Sequence, residues 1–379
     1  MPAALHNVHV LDSKQGAVMD VAARRLLTQR LTGEPFASAV DAVRWLGAVQ
    51  SQDYAGAKWA LGQRTRGVTE ADLDRLVDQG AILRTHVMRP TWHFVLPDDI
   101  RWLLELTAPR VKAAIAYYDR QLELDAAVLK RSQAVMGAAL RDGSHLTRSE
   151  LGATLERSGI RASGQRLGHL VLHAELDAVV VSGPRRGKLF TYALLEERAP
   201  DARRLDHDQA LAELTQRYFT GHGPAQLQDF AWWSGLTVAD AKRGLELVGP
   251  SLAHEVIGGK SYWSSPDLHP AAEAGPMVHL LPNYDEFLVA YRDRTASLDP
   301  ARQPDATPFP YGNVLAHVVV LNGQVWGGWK RRLQSGHVVV ELGPLAVLDA
   351  TQSAALERAA GDFARFLGIP VTIAAVAEP

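Results

Sequence analysis

The sequence predicts a mainly helical α+β protein, in which tandem winged-helix (helix-turn-helix) modules precede a C-terminal β-barrel-like domain. Two observations support this fold class. Three helical patterns followed by a hairpin pattern occur three times before residue 268, although the copies share little residue identity. From residue 277 onward, short strand-like runs replace the helical spacing until one last helical pattern covers 353–367.

These patterns divide the 379 residues into four predicted segments. The first winged-helix module has additional bracing helices and carries the sequence Gln50-Ser51-Gln52. Two further modules follow, and a β-rich domain with a C-terminal helix comes last. The segments are 1–143 for the first module, 144–200 for the second, 201–268 for the third and 269–379 for the barrel-like domain.

The first module opens with two predicted helices. Apolar residues recur at helical spacing over 22–30, and Ser38 is a start signal for a helix that ends near Val49. Thr69 begins a later helix in a capping-box pattern, and Gly80 ends it.

A hairpin and two bracing helices complete this module. The runs 82–87 and 91–96 are strand-like and flank a turn at 88–90, which makes the first predicted wing. Helical patterns over 100–106 and 111–140 then lead to the second module.

The second module repeats the order of elements with a clearer hairpin. Thr147 begins a capping-box pattern, and a second helix is predicted over 163–174. Strand-like runs over 179–182 and 189–193 flank a turn that contains three cations.

The third module and the last domain follow the same reasoning. A glycine pair at Gly258-Gly259 permits the positive φ angles of a tight hairpin turn. The predicted elements are helices over 211–219, 225–233, 238–247 and 353–367, and strands over 253–257, 260–263, 278–281, 315–321, 325–329 and 338–342.

Composition excludes several classes of protein. A net charge of −2 argues against coating nucleic acid through bulk positive charge, so any DNA contact must be local. The absence of cysteine excludes disulfides and thiolate-bound metals. No signal core is visible and no run reaches the roughly 18 apolar residues of a membrane span, so we expect a cytoplasmic protein that is nucleoid-associated if it acts on DNA.

Two uncharged amides, Gln50 and Gln52, stand between two predicted helices. Residues two apart share a face of an extended segment but not of a helix. The amides can therefore cooperate only if this junction is not helical. Asp53 is a candidate general base, but its place at the start of a helix favours a role as N-cap. From spacing alone, capping or surface roles are also the more ordinary ones for the two glutamines.

Four stretches carry a family resemblance: 49–54, 84–95, 230–236 and 281–286. Together they resemble the AlkZ-like (YcaQ-related) winged-helix DNA glycosylases. Members of that family remove alkylated bases from DNA and carry Gln-x-Gln or Gln-x-Asp where this chain has Gln50 and Gln52. The intervening Ser51 replaces a residue that is often apolar in the family.

The resemblance implies that Gln50 and Gln52 are catalytic and that no metal or cofactor is required. A glutamine has no useful pKa, but it can orient a water and stabilise developing positive charge. The implied activity is that of a monofunctional glycosylase for alkylated purines, first of all N7-alkylguanine, with bulky adducts or interstrand crosslinks as a further substrate class, in DNA repair or genotoxin self-resistance. Damaged double-stranded DNA is the expected partner of a monomer.

Six residues of the two wings are candidate DNA contacts. Arg84, Arg89 and His93 belong to the first hairpin, where isolated arginines are more often solvated or paired and a histidine is as often packed as exposed. In the second hairpin, the cations Arg185, Arg186 and Lys188 suit a position beside a DNA groove. A charged hairpin is also an ordinary device for solubility.

Other conspicuous residues favour structural roles. His169 and His173 are spaced as in some zinc sites, but the glutamate of the protease motif is absent, which favours packing or a DNA-facing position. Trp92, Trp232 and Trp233 are predicted to lie in the core or between modules.

Two other functions fit the same modules. A DNA-binding or transcription-regulatory protein without chemistry would have the same winged helices. A protein-interaction scaffold is also compatible, since winged helices bind proteins and the net charge is not basic.

Overall fold

A computed structural model describes residues 16–267, 275–298, 316–343 and 348–375. Helices predominate and alternate with small sheets, which confirms the predicted mainly helical α+β class. The start of the predicted segment 1–143 and parts of 269–379 lie outside the described residues. Within the described ranges, no helix has both the length and the apolarity needed to cross a membrane.

The first module has the order helix, short strand, two helices and hairpin, after a leading helix. Ser38 caps the helix over 39–46 and Thr69 caps the helix over 70–79, as predicted. Gly80 ends the latter helix in the left-handed conformation, also as predicted. The elements are α1 (Gly16–Thr28), α2 (Ala39–Leu46), β1 (Val49–Gln50), α3 (Tyr54–Gly62), α4 (Glu70–Gln79), β2 (Leu83–His86) and β3 (Trp92–Val95). Its strands form one antiparallel sheet in the order β1-β3-β2.

The second module shows the same order and the same type of sheet. Its strands pair as β4-β6-β5. Two bracing helices of the predicted segment 1–143, α5 (Ile100–Gln121) and α6 (Ala126–Ala139), precede this module, and α6 stands in the place of its first helix. The elements of the segment 144–200 are β4 (Leu146–Thr147), α7 (Arg148–Arg157), α8 (Gly164–Leu176), β5 (Val180–Arg186), β6 (Leu189–Leu194) and α9 (Leu195–Arg198).

The boundaries of the bracing helices differ from the prediction. The two predicted helices over 100–106 and 111–140 are instead α5, which continues through Pro109, and α6. The helical conformation is interrupted between them because Glu123 has a φ of +53°. The side chain of Asp125 then caps α6 by accepting a hydrogen bond from the backbone N–H of Val128.

The third module keeps the order but not the first strand. An isolated bridge between Ala225 and Trp263 takes the place of that strand. The elements are α10 (His207–His222), α11 (Leu227–Ser234), α12 (Val238–Val248), β7 (Ala253–Ile257) and β8 (Lys260–Ser264).

A five-stranded sheet makes up the C-terminal part. It is ordered β13-β12-β11-β10-β9 and is antiparallel except for the parallel pair of β12 and β13. The elements are β9 (Val278–Leu281), α13 (Glu286–Val289), β10 (Val318–Leu321), β11 (Gln324–Gln334), β12 (His337–Leu342), α14 (Ala350–Leu367) and β13 (Val371–Ala375). Within the described residues its edge strands β9 and β13 do not pair with each other, so the sheet of the predicted barrel-like domain is open there.

The C-terminal sheet shares a hydrophobic core with the first module. Trp59 of α3 packs on Phe363 and Phe366 of α14, with ring centroids 4.8 and 5.1 Å apart. The indole N–H of Trp59 donates a 2.7 Å hydrogen bond to the carbonyl of Leu280 in β9. Helix α14 and strand β9 are therefore packed against α3, the helix that follows the two glutamines.

Candidate active site

The two glutamines lie in a non-helical junction, as predicted. Gln50 ends β1 and pairs with His93 of β3. The backbone N–H of Ser51 donates a 2.7 Å hydrogen bond to the carbonyl of Trp92, and α3 begins only at Tyr54. The first hairpin therefore fixes the extended backbone before Gln52.

Asp53 is the N-cap of α3, which confirms that prediction. Its carboxylate Oδ1 accepts a 3.0 Å hydrogen bond from the backbone N–H of Gly56. The approach is close, because a Cβ added at Gly56 would lie 2.8 Å from Asp53 Oδ2 and 3.1 Å from the side chain of Pro282. Pro282 follows β9, so the C-terminal sheet reaches the start of α3.

Gln50 and Gln52 have different surroundings. The side chain of Gln50 is 6% exposed; its Nε2 lies 3.5 Å from Thr91 Oγ1, and its Oε1 has no partner among the described residues. Gln52 is exposed. The Gln50 amide is thus buried and has a free acceptor oxygen, whereas the Gln52 amide is open to solvent.

Glu286 fixes the backbone of Gln50. This carboxylate is fully buried, and its Oε1 accepts a 2.9 Å hydrogen bond from the backbone N–H of Gln50. Its Oε2 accepts a 2.9 Å bond from the indole N–H of Trp233 and lies 3.4 Å from Nε2 of the buried His222. One side chain therefore joins the third module and the C-terminal segment to the glutamine junction.

Glu286 was not among the predicted site residues. In an extended segment, the neighbours Asp285 and Glu286 would point to opposite faces. The structure has a helix start instead, where Asp285 caps α13 and forms a buried two-bond ion pair with Arg64 at 2.8 and 2.9 Å. The two carboxylates therefore have separate partners: Asp285 binds Arg64, and Glu286 binds the backbone N–H of Gln50.

Arg84 lies behind the junction and not on the surface. It is 8% exposed, and its Nε and Nη2 donate hydrogen bonds of 3.2 and 3.0 Å to the carbonyl of Ser51. Its Cζ lies 4.4 Å from the ring centroid of Trp92. Burial lowers the pKa of Arg84 to about 10, so it stays charged at neutral pH. This placement corrects the expectation of an outward-facing phosphate contact.

His93 is also buried, contrary to a role at the DNA surface. It is fully buried, its Nδ1 lies 3.0 Å from the carbonyl of Thr91, and its Nε2 has no partner within the described ranges. Burial, and secondly the charge of Arg89, lower its pKa well below 6.5. Strand alternation turns the neighbouring Trp92 outward, where it is half-buried and not in the core.

Arg89 is half-buried at the tip of the first hairpin. Its Nε and Nη2 are themselves buried and have no hydrogen-bond partner among the residues that the structure describes. Burial lowers the pKa of Arg89, and the negative charge of Glu286 opposes that shift. Arg89 is therefore a cation with unused donors close to the carboxylate that holds Gln50.

The three cations of the second hairpin differ in availability. Arg185 pairs with Asp74 at 2.7 Å, and Arg186 pairs with Glu150. Lys188 is exposed in the turn and forms no ion pair in the part of the chain that the structure describes.

A histidine from the C-terminal part also lies near the junction. His317 Nδ1 is 2.5 Å from Asn283 Oδ1, and its ring meets Trp329 edge-on at 4.7 Å. Burial lowers its pKa to about 4, although the charge of Asp53 acts in the opposite direction. Sequence reasoning missed this group because nothing local links it to residues more than two hundred positions earlier.

We expect the protein to lose stability between pH 7 and pH 5.5. Burial lowers the pKa of His279 and of His317 to about 4, from 6.5 in the unfolded chain. Between these pH values the unfolded chain binds more protons than the native protein. The free energy of unfolding therefore decreases by about 1 kcal/mol per histidine as the pH is lowered from 7 to 5.5. Urea unfolding at both pH values measures this loss. The variant His279→Gln/His317→Gln should show a smaller pH dependence, and an unchanged one would contradict this origin.

The remaining candidates have structural partners. His169 and His173 both bind Asp119, at 2.8 and 2.9 Å, and the described residues contain no group of three or more histidines or carboxylates placed to hold a metal. Trp233 is fully buried as predicted, whereas Trp232 is 41% exposed.

Comparison with known proteins gives consistent results. The family model described as DNA glycosylase AlkZ-like matches residues 43–366. A protein of Streptomyces sahachiroi named interstrand DNA cross-link repair glycosylase is 24% identical over 82% of this chain and 86% of its own length. The solved structure of S. sahachiroi DNA glycosylase AlkZ superposes with a TM-score of 0.76, at 22% identity, over 96% of this chain and all of that one. The fold is therefore the same as that of the solved structure.

Proposed function

Because this chain belongs to the AlkZ-like DNA glycosylase family, we propose that it hydrolyses the N-glycosidic bond of alkylated purines in double-stranded DNA, in particular of N7-alkylguanine. It is an enzyme of the class that hydrolyses N-glycosyl bonds. The observation that carries the finer proposal is the pair of neutral amides in the junction, with Gln50 held from behind and Gln52 exposed.

Neutral amides suit a substrate whose leaving group is already activated. Alkylation at N7 gives the guanine a positive charge, so its bond to the sugar breaks with little need for an acid. The sugar then carries positive charge in an oxocarbenium-like transition state, which an amide oxygen stabilises. Water adds to C1′, its proton passes to solvent, and the base leaves neutral.

We assign different tasks to the two glutamines. We assign the attacking water to Gln50, because its buried Oε1 has no partner within the described ranges and is a free acceptor for a hydrogen bond from that water. Gln52 is exposed and is assigned to the sugar or the damaged base. Asp53 is engaged as a helix cap, so we assign it no proton transfer.

We extend the proposal to bulky adducts and interstrand crosslinks. The S. sahachiroi relative is named for crosslink repair, and Gln52 of this chain is exposed to solvent, which leaves room beside it for a bulky substituent. Repair of alkylation damage and self-resistance to a DNA-alkylating compound are both consistent with such a substrate range.

The three repeated units are proposed to be winged helices that bind the duplex. Their order of helix, strand, two helices and hairpin is that of a winged helix, and the first two sheets share one strand order. Lys188, Arg185 and Arg186 are proposed to contact phosphates from the second wing, with the two arginines exchanging their carboxylate partners for DNA. Arg89 is proposed to contact a phosphate at the first wing, while Arg84 and His93 hold the junction from behind.

Incubation with duplex DNA that contains N7-methylguanine tests the activity. We expect free N7-methylguanine and an alkali-labile abasic site, without added metal or cofactor. A duplex with a bulky N7 adduct and one with an interstrand crosslink complete the substrate set. If none of the three releases a base while the protein still binds DNA, a non-catalytic DNA-binding function replaces this proposal.

A further inference from the structure

Two large apolar side chains project from the tip of the second hairpin. Leu189 is 60% exposed and Phe190 is 39% exposed, and they are consecutive residues at the start of β6. Neighbours in a strand normally point to opposite faces, one of them covered. Exposure of both means that the tip extends beyond the packed part of its sheet. Apolar groups at a hairpin tip are unfavourable in water and call for a partner.

The tip touches α3, the helix that follows the two glutamines. The ring of Phe190 meets the edge of Tyr54, the first residue of α3, at a centroid distance of 5.0 Å. The Cζ of Arg84 lies 4.8 Å from the Phe190 centroid, and the same guanidinium binds the carbonyl of Ser51. Phe190 is therefore two contacts away from the residue between Gln50 and Gln52.

The charge beside the tip fits nucleic acid. Lys188 directly precedes the apolar pair and forms no ion pair within the described residues. Gly187, the other turn residue, has a φ of +61° and nothing within 4 Å of a Cβ built on it, so the turn faces open space at this residue. An exposed cation next to exposed apolar groups matches a phosphate that flanks a gap in the base stack.

We propose that Leu189 and Phe190 form an apolar wedge that enters the duplex beside the damaged nucleotide. Leu189, the more exposed of the two, leads into the base stack, and Phe190, braced by Tyr54 and Arg84, supports it. Apolar side chains inserted between base steps unstack them and kink the duplex. Opening the step next to the lesion brings C1′ of the damaged nucleotide to the glutamine junction. The wedge rests on the proposed action on duplex DNA.

The test uses a duplex with a tetrahydrofuran abasic-site analogue and 2-aminopurine as the adjacent base. This analogue has no glycosidic bond to cleave, so the signal does not depend on catalysis. Unstacking raises 2-aminopurine fluorescence, and we expect a several-fold rise on binding of the wild type. Leu189→Ser and Phe190→Ser should lose most of that rise at saturating protein, whereas Leu189→Met should retain it.

Tyr117→Ser is the matched control, because Tyr117 is 59% exposed on α5, away from the hairpin. An equal rise in the wild type and in Leu189→Ser would overturn the wedge, as would no rise in the wild type. Thermal unfolding of each variant identifies any that fails to fold. Base release without a Leu189-dependent rise would leave the proposed function intact and reject the wedge. A Leu189-dependent rise in fluorescence without base release from any of the three damaged duplexes would support the wedge and reject the proposed glycosylase activity.

Discussion

Replacement of Gln50 or Gln52 by alanine is expected to lower the rate of base release from N7-methylguanine duplex by roughly 100-fold, the usual effect of removing one preorganised polar group from a site that stabilises developing charge. Gln50→Ala removes the proposed water acceptor, and Gln52→Ala removes the exposed amide. Neither side chain supports the fold, because Gln50 makes one 3.5 Å contact and Gln52 is exposed. Both variants should therefore bind DNA nearly normally.

Single-turnover release with enzyme in excess measures this chemical step without product dissociation. Gln121→Ala, which changes an exposed glutamine at the end of α5, is the matched control and should release base at the wild-type rate. Gln52→Asp adds a second comparison, because it retains an acceptor oxygen and reproduces the Gln-x-Asp pattern of the family. Wild-type rates in the double variant Gln50→Ala/Gln52→Ala would refute the proposed roles.

The junction itself could be predicted because its signals are local. A helix that starts at Ser38 and is predicted to end near Val49, followed by a cap at Asp53, leaves only a short connection for the two glutamines. Both caps are present in the structure, where the first helix ends at Leu46. The same holds for the left-handed helix end at Gly80. Each of these signals acts within one turn of helix, so a single sequence contains it completely.

Burial of the charged wing residues could not be predicted in the same way. Arginine is seldom buried, so the sequence favoured a surface position for Arg84. What reverses that preference is a carbonyl acceptor at Ser51 together with the flat faces of Trp92 and Phe190, which a guanidinium can stack on. These partners come from three separate strands or loops, and only the folded chain brings them together.

The C-terminal contribution to the site was missed for a related reason. The predicted strands over 278–281 and 338–342 are present, but β13 was not predicted, and its parallel pairing with β12 requires the intervening helix α14. Glu286 follows β9 and reaches back more than two hundred residues to Gln50. Long-range pairing of this kind leaves no periodic trace in the sequence.

Replacement of Glu286 is expected to reduce base release through Gln50, although Glu286 has no assigned contact with the substrate. Its two oxygens accept from the backbone N–H of Gln50 and from the indole N–H of Trp233. Glu286→Ala leaves both buried donors without an acceptor, at about 1–3 kcal/mol each. Glu286→Gln offers one acceptor oxygen for two donors, so one of them stays unsatisfied. We expect about a 10-fold slower release in Glu286→Gln if the unsatisfied donor is Gln50.

A loss of stability alone would also slow the enzyme, so the readout must separate positioning from unfolding. Trp233→Phe is the matched control: it removes the indole donor but keeps the ring, and should lower the melting temperature without slowing release by folded enzyme. The decisive comparison combines Glu286→Gln with Gln50→Ala. If Glu286 acts through the Gln50 side chain, the double variant should release base no more slowly than Gln50→Ala alone, although its stability losses add. If the fold-loss in rate of the double variant equals the product of the losses of the two single variants, Glu286 acts independently of the Gln50 side chain.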